Sequence, residues 1–235
     1  MPPLVRLRRA KGQDLPQMLE VETSALVDDE VTVRCLPDYF TPAGGQVRMH
    51  GYREVLHEIT VAELTDDQGR STGKILGWAR WVRRLAPTAP SRSSMHRQRP
   101  LRRVVLYPDG FPANGDRLFA AGYFQANLDN KAEIVGQQRH WFLSTLFVRR
   151  EEQGRGVGSM LISVGTEAAD KEGWPAYLNS SPVGKSLYER HGFQTVRTSW
   201  FTEETTTYHM LRRAVPGRCE DGHRKHRKHG KHGGK

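Results

Sequence analysis

The 235-residue chain has little cysteine and no long apolar run. One of its two cysteines, Cys219, lies among lysines and histidines near the end of the sequence, so we expect no structural disulfide with Cys35 and a reducing compartment. No apolar run approaches the roughly 18 to 20 residues that cross a membrane. Residues 1–6 lack the apolar centre of a signal peptide. These absences predict a cytoplasmic protein without membrane contact.

Acidic residues are absent or few where basic residues are most frequent. Residues 83–103 hold seven arginines and no acid, and residues 216–235 hold seven lysines and arginines against two acids. The formal net charge of +10 therefore belongs to these two segments, and the rest of the chain is close to neutral. Five prolines mark residues 83–118 as an exposed basic insertion. We predict a single domain over residues 1–214 and a disordered tail over residues 215–235.

The basic tail is the only segment that we expect to contact nucleic acid or to direct the chain to the nucleus. It places histidines at intervals of three, at His223, His226, His229 and His232. Nucleic-acid binders usually place aromatic residues within a basic face, and both basic segments contain few aromatics. Solvated charge is therefore the preferred interpretation, and we predict no catalytic metal.

The most informative stretch joins an apolar strand to an amphipathic helix through glycines. Residues 141–148 are aromatic and β-branched, which predicts a buried strand. Beyond Gly158, apolar residues recur at helical spacing until Gly173 and Pro175 stop the pattern. Glycines permit a tight backbone turn, and the first amides of a helix attract anions. Residues 153–159, with the charge of Arg155, therefore predict a phosphate-binding turn.

The order of motifs resembles the GNAT superfamily of acyl-CoA-dependent N-acyltransferases. Residues 153–158 read Q-x-x-G-x-G after a strand, unlike the dinucleotide and nucleotide triphosphate loops. Downstream, residues 187–193 read L-Y-x-x-x-G-F, the ending of the last helix in the family. The resemblance covers about residues 4–212. The sequence around Trp141, around Ala169 and over residues 177–182 is most similar to the sequences of uncharacterised fungal members.

The resemblance implies an α/β (α+β) fold, in which helices flank a mixed and mostly antiparallel sheet. It implies transfer of an acetyl group from acetyl-CoA to a small-molecule amine or a lysine-type amino group, by direct attack in a ternary complex. Tyr188 would protonate the leaving thiolate, and its alternative role is packing. The positions that the resemblance assigns to CoA binding are Leu146, Phe147, Val148, Gln153, Gly154, Arg155, Gly156, Val157, Gly158, Ser159 and Ser181.

Two departures from the family pattern leave a second function open. Ser181 stands where many relatives carry an asparagine that contacts the pantetheine arm. Phe142 stands near the position at which relatives with a glutamate base carry it, and phenylalanine accepts no proton. A water relay, Ser144 or an acid from residues 28–30 are the alternatives for the base. The alternative function is a non-catalytic module that binds CoA, or nucleic acid through its basic segments.

The remaining patterns predict the surroundings of the site. Asp14 is the expected cap of a first helix, and residues 46–57 form a further expected helix. Residues 59–64 and 74–82 predict an antiparallel pair, and residues 119–137 another helix. Residues 28–30 are expected to be a solvated helix end. Trp78 and Trp81 are expected either in the core or in the wall of a cleft. The side chains expected to shape the acceptor pocket are those of residues 28–57, Trp78, Trp81, Trp200 and Phe201.

Overall fold

A seven-stranded sheet organises the computed structural model, which describes residues 4–85 and 111–215. The strands are β1 Val5–Arg9, β2 Ile59–Thr65, β3 Ser71–Arg84, β4 His140–Val148, β5 Ala176–Ser180, β6 Gln194–Trp200 and β7 Thr206–Arg212. Their order across the sheet is β1-β2-β3-β4-β5-β7-β6. Only β4 and β5 run parallel, and every other neighbouring pair is antiparallel. The predicted mixed, mostly antiparallel sheet is confirmed.

Six α-helices cover the sheet within the part of the chain that the structure describes. They are α1 Leu15–Leu26, α2 Glu30–Cys35, α3 Pro42–Arg53, α4 Arg117–Val135, α5 Val157–Glu172 and α6 Pro182–Arg190. Successive strand residues point to opposite faces, so Val61 packs beneath α1 while Ala62 packs beneath α5. Helices α1 and α3 lie on one face with α4, and helices α5 and α6 lie on the other.

Both tryptophans of β3 are core residues, which confirms one of the two places expected for them and corrects the other, the wall of the acceptor pocket. Trp78 is fully buried beneath α1 and donates its indole N–H to the carbonyl of Met18, at 3.0 Å. Trp81 packs against Gly165 on the opposite face and donates to the carbonyl of Leu161, at 3.1 Å. Indoles bury large area when the N–H finds a partner. These two side chains hold α1 and α5 on the sheet.

The structure corrects several local predictions. Asp14 does not cap α1 with its side chain; its carboxylate accepts from Arg8 and from the backbone amide of Lys11 instead. Helix α3 covers Pro42–Arg53 rather than residues 46–57, because Thr41 caps it and Pro42 opens it. Residues 28–30 join α1 to α2. Asp28 is exposed just after α1, as expected of a solvated helix end, whereas Asp29 accepts from the amide of Thr32 and caps α2.

Most of the two basic segments lies outside the described residues. The structure describes the insertion only up to residue 85 and again from residue 111, and the tail only at residue 215. Strand β3 extends to Arg84, so the insertion begins as a continuation of a core strand. The insertion ends in α4, whose start is capped by Asp116 through the amide of Phe119.

Candidate functional site

Strands β4 and β5 part to form a wedge at the centre of the sheet. They pair only through Trp141, Phe142 and Leu143 of β4 and through Ala176, Tyr177 and Leu178 of β5. Beyond Leu143, β4 pairs with β3 alone among the described strands, and β5 pairs with β7. Ser144 forms a bulge at this point, because the β3 register advances by one residue while the β4 register advances by two.

The open edge of β4 presents backbone groups to the wedge. Arg149 donates its amide to the carbonyl of Leu76, at 2.8 Å. Residues of an antiparallel pair face their partner alternately, so the backbone groups of Phe147 face β3 and those of Leu146 and Val148 face the wedge. The ring of Phe147 also turns away from the wedge and packs 5.2 Å from the ring of Trp78. The wedge therefore meets two of the three β4 residues predicted to bind CoA.

The glycine turn follows at the open end of β4. Gly154 and Gly156 have φ values of +74° and +91°, a region that side chains with a Cβ rarely adopt. Nothing lies within 4 Å of the point where a Cβ would stand at either residue, so the backbone conformation and not crowding requires glycine. Gly156 is the N-cap of the 16-residue helix α5. The first amides of α5 therefore lie directly after this turn, at the positive end of the helix dipole.

Charged side chains fix the shape of this turn. Arg155 pairs with the Glu152 carboxylate at 2.8 Å, and Lys74 pairs with the other oxygen at 3.1 Å. The Gln153 side chain donates to the carbonyl of Val148, at 3.2 Å, and bridges the turn to the wedge. Glu152 is buried, so the pairing with two cations offsets the cost of burying its charge.

Helix α6 places Tyr188 beside the wedge, on the α5 face. Its side chain is 9% exposed and packs edge-on to Phe193, with ring centroids 6.1 Å apart. Among the described residues no group bonds its hydroxyl. Burial raises the pKa of Tyr188 well above its ordinary value of 10, so the phenol stays protonated at neutral pH. An unbonded, protonated hydroxyl is equipped to donate a proton.

Ser181 lies at the start of α6, beside the wedge, and two glycines lie in or close to this helix. Ser181 is the exposed N-cap of α6, and its side chain makes no capping hydrogen bond. A Cβ at Gly158 would stand 3.1 Å from Leu187, and one at Gly184 would stand 3.0 Å from the Tyr188 ring. Gly158 thus lets α5 approach α6 closely, and Gly184 makes room for the Tyr188 ring within α6. The structure therefore brings Tyr188, Ser181 and the glycine turn to the same wedge.

None of the predicted acids lies free as a base. Asp28 pairs with Arg150 at 2.6 Å, Asp29 caps α2, and Glu30 accepts from the Thr205 hydroxyl. Phe142 stacks on Tyr177, with ring centroids 6.0 Å apart, and the Lys131 ammonium lies 4.4 Å from the Phe142 ring. The position at which some relatives carry a glutamate is therefore apolar and lies beneath a cation.

The sequence reasoning missed a polar cluster under α4. Tyr177, Asn179 and His209 are bonded together, and Ser199 and Asn130 extend the chain of hydrogen bonds to α4. The signal was present, because polar residues alternate in β5 and in β7 on the face opposite the apolar residues. Only the pairing of Asn179 with His209 across the two strands shows that they meet.

Two negative findings apply to residues 4–85 and 111–215. No helix there is long and apolar enough to cross a membrane. No group of three or more histidine, cysteine, aspartate or glutamate side chains within the same ranges could hold a metal ion. Cys35, the cysteine that the structure describes, is buried with a free thiol.

Comparison with known proteins identifies the domain. Residues 115–195 match the family described as the acetyltransferase (GNAT) domain. An uncharacterized N-acetyltransferase of Schizosaccharomyces pombe is 32% identical over 79 residues. That match covers 32% of this chain and 32% of the yeast protein, so the chain spans about a third of the length of this curated relative.

Solved structures share the fold. A protein of Corynebacterium glutamicum, described as histone acetyltransferase HPA2 and related acetyltransferase, superposes with a TM-score of 0.55 at 21% identity, covering 92% of this chain and 99% of its own. A mosquito arylalkylamine N-acetyltransferase-like protein gives a TM-score of 0.56 at 12% identity, covering 89% of this chain and all of its own. At these identities the likeness establishes the architecture alone.

Proposed function

Because the chain contains a GNAT acetyltransferase domain, we propose that it transfers an acetyl group from acetyl-CoA to a primary amine by direct attack in a ternary complex. The observation that carries the proposal is the glycine turn at the end of the open edge of β4, with Tyr188 packed against the α5 side of the same strands. The acceptor is a small amine or a lysine-type amino group. Proteins that share the fold and are described as histone acetyltransferase HPA2 and as arylalkylamine N-acetyltransferase-like support this range of acceptors.

The residues that line the proposed donor site suit the parts of acetyl-CoA. The pyrophosphate lies against the turn formed by Gln153, Gly154, Arg155, Gly156, Val157, Gly158 and Ser159. The turn offers open space, helix amides and a nearby guanidinium, which together suit a doubly charged phosphate group. The pantetheine arm pairs with the backbone of Leu146 and Val148, whose N–H and C=O groups face the wedge. Ser181 adds an exposed hydroxyl at the start of α6.

The proposed chemistry needs one proton donor and one proton acceptor. The amine nitrogen bonds to the thioester carbon, the carbon–sulfur bond breaks, and the thiolate takes the Tyr188 hydroxyl proton. Water accepts the proton that the amine loses, because Phe142 cannot and the acids of residues 28–30 are engaged. This arrangement favours acceptors that reach the site already neutral, so turnover is expected to rise with pH in the mildly alkaline range.

Transfer is tested with purified protein, acetyl-CoA and a panel of phenylethylamine, agmatine and a lysine-containing peptide. Release of free CoA thiol that depends on both protein and amine, with an acetylated product in the mass spectrum, is the expected result. Absence of product with every amine, by a folded protein that binds acetyl-CoA, would favour the non-catalytic alternative. Phe142 in place of a base is the observation that supports this alternative.

The nucleic-acid form of the alternative has its own test. Deleting residues 216–235 removes the basic tail and leaves every described strand and helix in place. Salt-dependent binding of RNA or DNA that disappears with this deletion, together with no acyl transfer by the full chain, would replace the enzymatic proposal. Under the enzymatic proposal the deletion leaves turnover of small amines unchanged.

A further inference from the structure

The hydrogen-bonded cluster beneath α4 ends at the point where β4 and β5 part. Leu178 is the last β5 residue that pairs with β4, and Asn179 is the first residue beyond it. On β4 the corresponding first residue is Ser144, in the bulge. Asn179 shares its sheet face with Tyr177 and therefore points to the α4 side. Asn179 thus stands at the apex of the wedge, on the face opposite Tyr188.

Two buried side chains hold the orientation of the Asn179 amide. The Tyr177 hydroxyl donates to its Oδ1 at 2.6 Å, and His209 Nδ1 lies 3.0 Å from the same oxygen. Tyr177 and His209 are each fully buried, so neither moves without repacking. With Oδ1 turned inward to two partners, the Asn179 Nδ2 group is directed outward.

The rest of the cluster is consistent with the His209 tautomer that carries its proton on Nδ1. Tyr177 gives its single proton to Asn179, so Nδ1 of His209 carries the proton that reaches Asn179. Nε2 then accepts from the Ser199 hydroxyl at 3.0 Å, and Asn130 donates to Ser199 at 3.2 Å. Burial lowers the pKa of His209, which keeps the ring neutral and this pattern intact at pH 7.

The Asn179 Nδ2 group has no acceptor among the described residues and is not buried away from solvent. A donor whose orientation is held by two buried partners, and which lacks its own acceptor, is arranged for an external oxygen atom. Residues 144–148 of β4 give the wedge a length of roughly 17 Å from glycine turn to apex. A pantetheine arm that extends along this edge from the turn brings its acetyl thioester to Asn179.

We propose that Asn179 donates a hydrogen bond from Nδ2 to the carbonyl oxygen of the bound acetyl thioester, and that Tyr177 and His209 are its positioning residues. This inference rests on the proposed function. A neutral donor suits this oxygen, because the bond strengthens as the oxygen gains negative charge during attack. The cluster also supplies a role for buried polar groups that would otherwise only weaken the core.

Infrared spectroscopy of acetyl-CoA carrying a carbon-13 carbonyl tests the bond without an acceptor amine. Bound to the wild type, the labelled carbonyl is expected to absorb at lower frequency than free acetyl-CoA. Asn179→Asp and Asn179→Ala are expected to return the band toward the free position while the Kd for acetyl-CoA changes by less than about 3-fold. With an amine present, kcat should fall by about 100-fold, the loss typical of one such donor.

The positioning residues are tested by rescue. His209→Leu should shift the band as Asn179→Ala does, whereas His209→Asn, which keeps a donor near the place of Nδ1, should retain most of the wild-type shift. Asn130→Ala, at the far end of the cluster, is the matched control and should leave the band in place. Melting temperatures identify any variant that fails to fold.

Three outcomes would overturn the inference. One is a labelled band that stays at the wild-type position in a folded Asn179→Ala protein. Another is a Kd for acetyl-CoA that rises about 10-fold or more while kcat at saturation is unchanged, which would assign Asn179 to the pantetheine arm. Failure of the wild type to bind acetyl-CoA would remove the proposed function together with the inference, whereas the first two outcomes remove the inference alone.

Discussion

Replacing Tyr188 with phenylalanine removes one hydroxyl and separates a catalytic role from a packing role. Among the described residues this hydroxyl has no hydrogen-bond partner, although the side chain is 9% exposed. A hydroxyl without a protein partner adds no stability, and one that water reaches poorly costs up to about 1 kcal/mol. Tyr188→Phe is therefore expected to leave the free energy of unfolding unchanged or to raise it by about 1 kcal/mol. For a domain of this size, that gain raises the melting temperature by roughly 2 to 4 °C.

The same substitution should lower kcat while acetyl-CoA binding stays intact. A positioned general acid contributes about 10²- to 10⁴-fold, and a thiolate is a good leaving group, so we expect a loss near 10²-fold. The assay combines thermal unfolding, acetyl-CoA calorimetry and release of free thiol. Tyr208→Phe, which removes a phenol hydroxyl from β7, is the matched control and should keep kcat within about 2-fold. A Tyr188→Phe enzyme with wild-type kcat would refute the reasoning and leave Tyr188 as a packing residue.

Two further predictions concern stability. Gly165→Ala places a methyl group 2.0 Å from the Trp81 ring, so urea unfolding should show that the free energy of unfolding falls by about 3 kcal/mol. The control Gly122→Ala, with open space around it in α4, should raise the free energy of unfolding by about 0.5 to 1 kcal/mol. Equal effects of the two substitutions would contradict the packing of Trp81 against Gly165. Hydrogen bonds from Arg8 lower the pKa of Glu63 from 4.5 to about 2, so the stability that they add is present above pH 4.5 and is lost as the pH falls toward 2. After a discount for solvent screening, the free energy of unfolding should fall by about 2 kcal/mol more in the wild type than in Glu63→Gln between pH 5 and pH 2. Equal losses in the two proteins would contradict this.

The sequence predicted the parts of the fold that local pattern controls. The strand before the glycine turn, the start of α5 near Gly156 and its end at Gly173 follow from periodicity and from positive φ values, which are properties of neighbouring residues. The strand predicted over residues 59–64 matches β2, Ile59–Thr65, within one residue for the same reason. Such signals survive because tertiary contacts reinforce them.

The failures lie where distant contacts decide. Asp14 has the residue type of a cap, but Arg8 of β1 binds its carboxylate, and no local pattern contains that competition. The sequence left Trp78 and Trp81 between the core and the wall of a cleft, and only the interior position of β3 in the sheet shows that one is buried on each face. Asn179 and His209 lie 30 residues apart and meet only through the β5–β7 register.

Glu22 of α1 is a further residue whose environment depends on distant contacts. Glu22 interrupts the apolar stripe of this helix, and its carboxylate is nevertheless buried. It accepts from the hydroxyls of Tyr39 and Tyr52 and lies 3.1 Å from the Arg48 guanidinium. Buried charge is tolerated when it is paired in this way. The partners come from α3 and from the segment before it, so the sequence of α1 alone could not reveal them.

Calorimetric titration with acetyl-CoA of the wild type and of Gly156→Glu tests the central claim most directly. The introduced carboxylate would face the glycine turn, and at about 5 Å and an effective dielectric near 20 it repels each phosphate charge by roughly 3 kcal/mol. Gly69→Glu, at a similar φ of +74° in the β2–β3 turn, is the matched control for charge and backbone strain. We expect micromolar binding by the wild type and by Gly69→Glu, and binding weakened at least about 100-fold in Gly156→Glu. A folded wild type that does not bind acetyl-CoA, or a Gly156→Glu protein that binds it normally, would contradict the account.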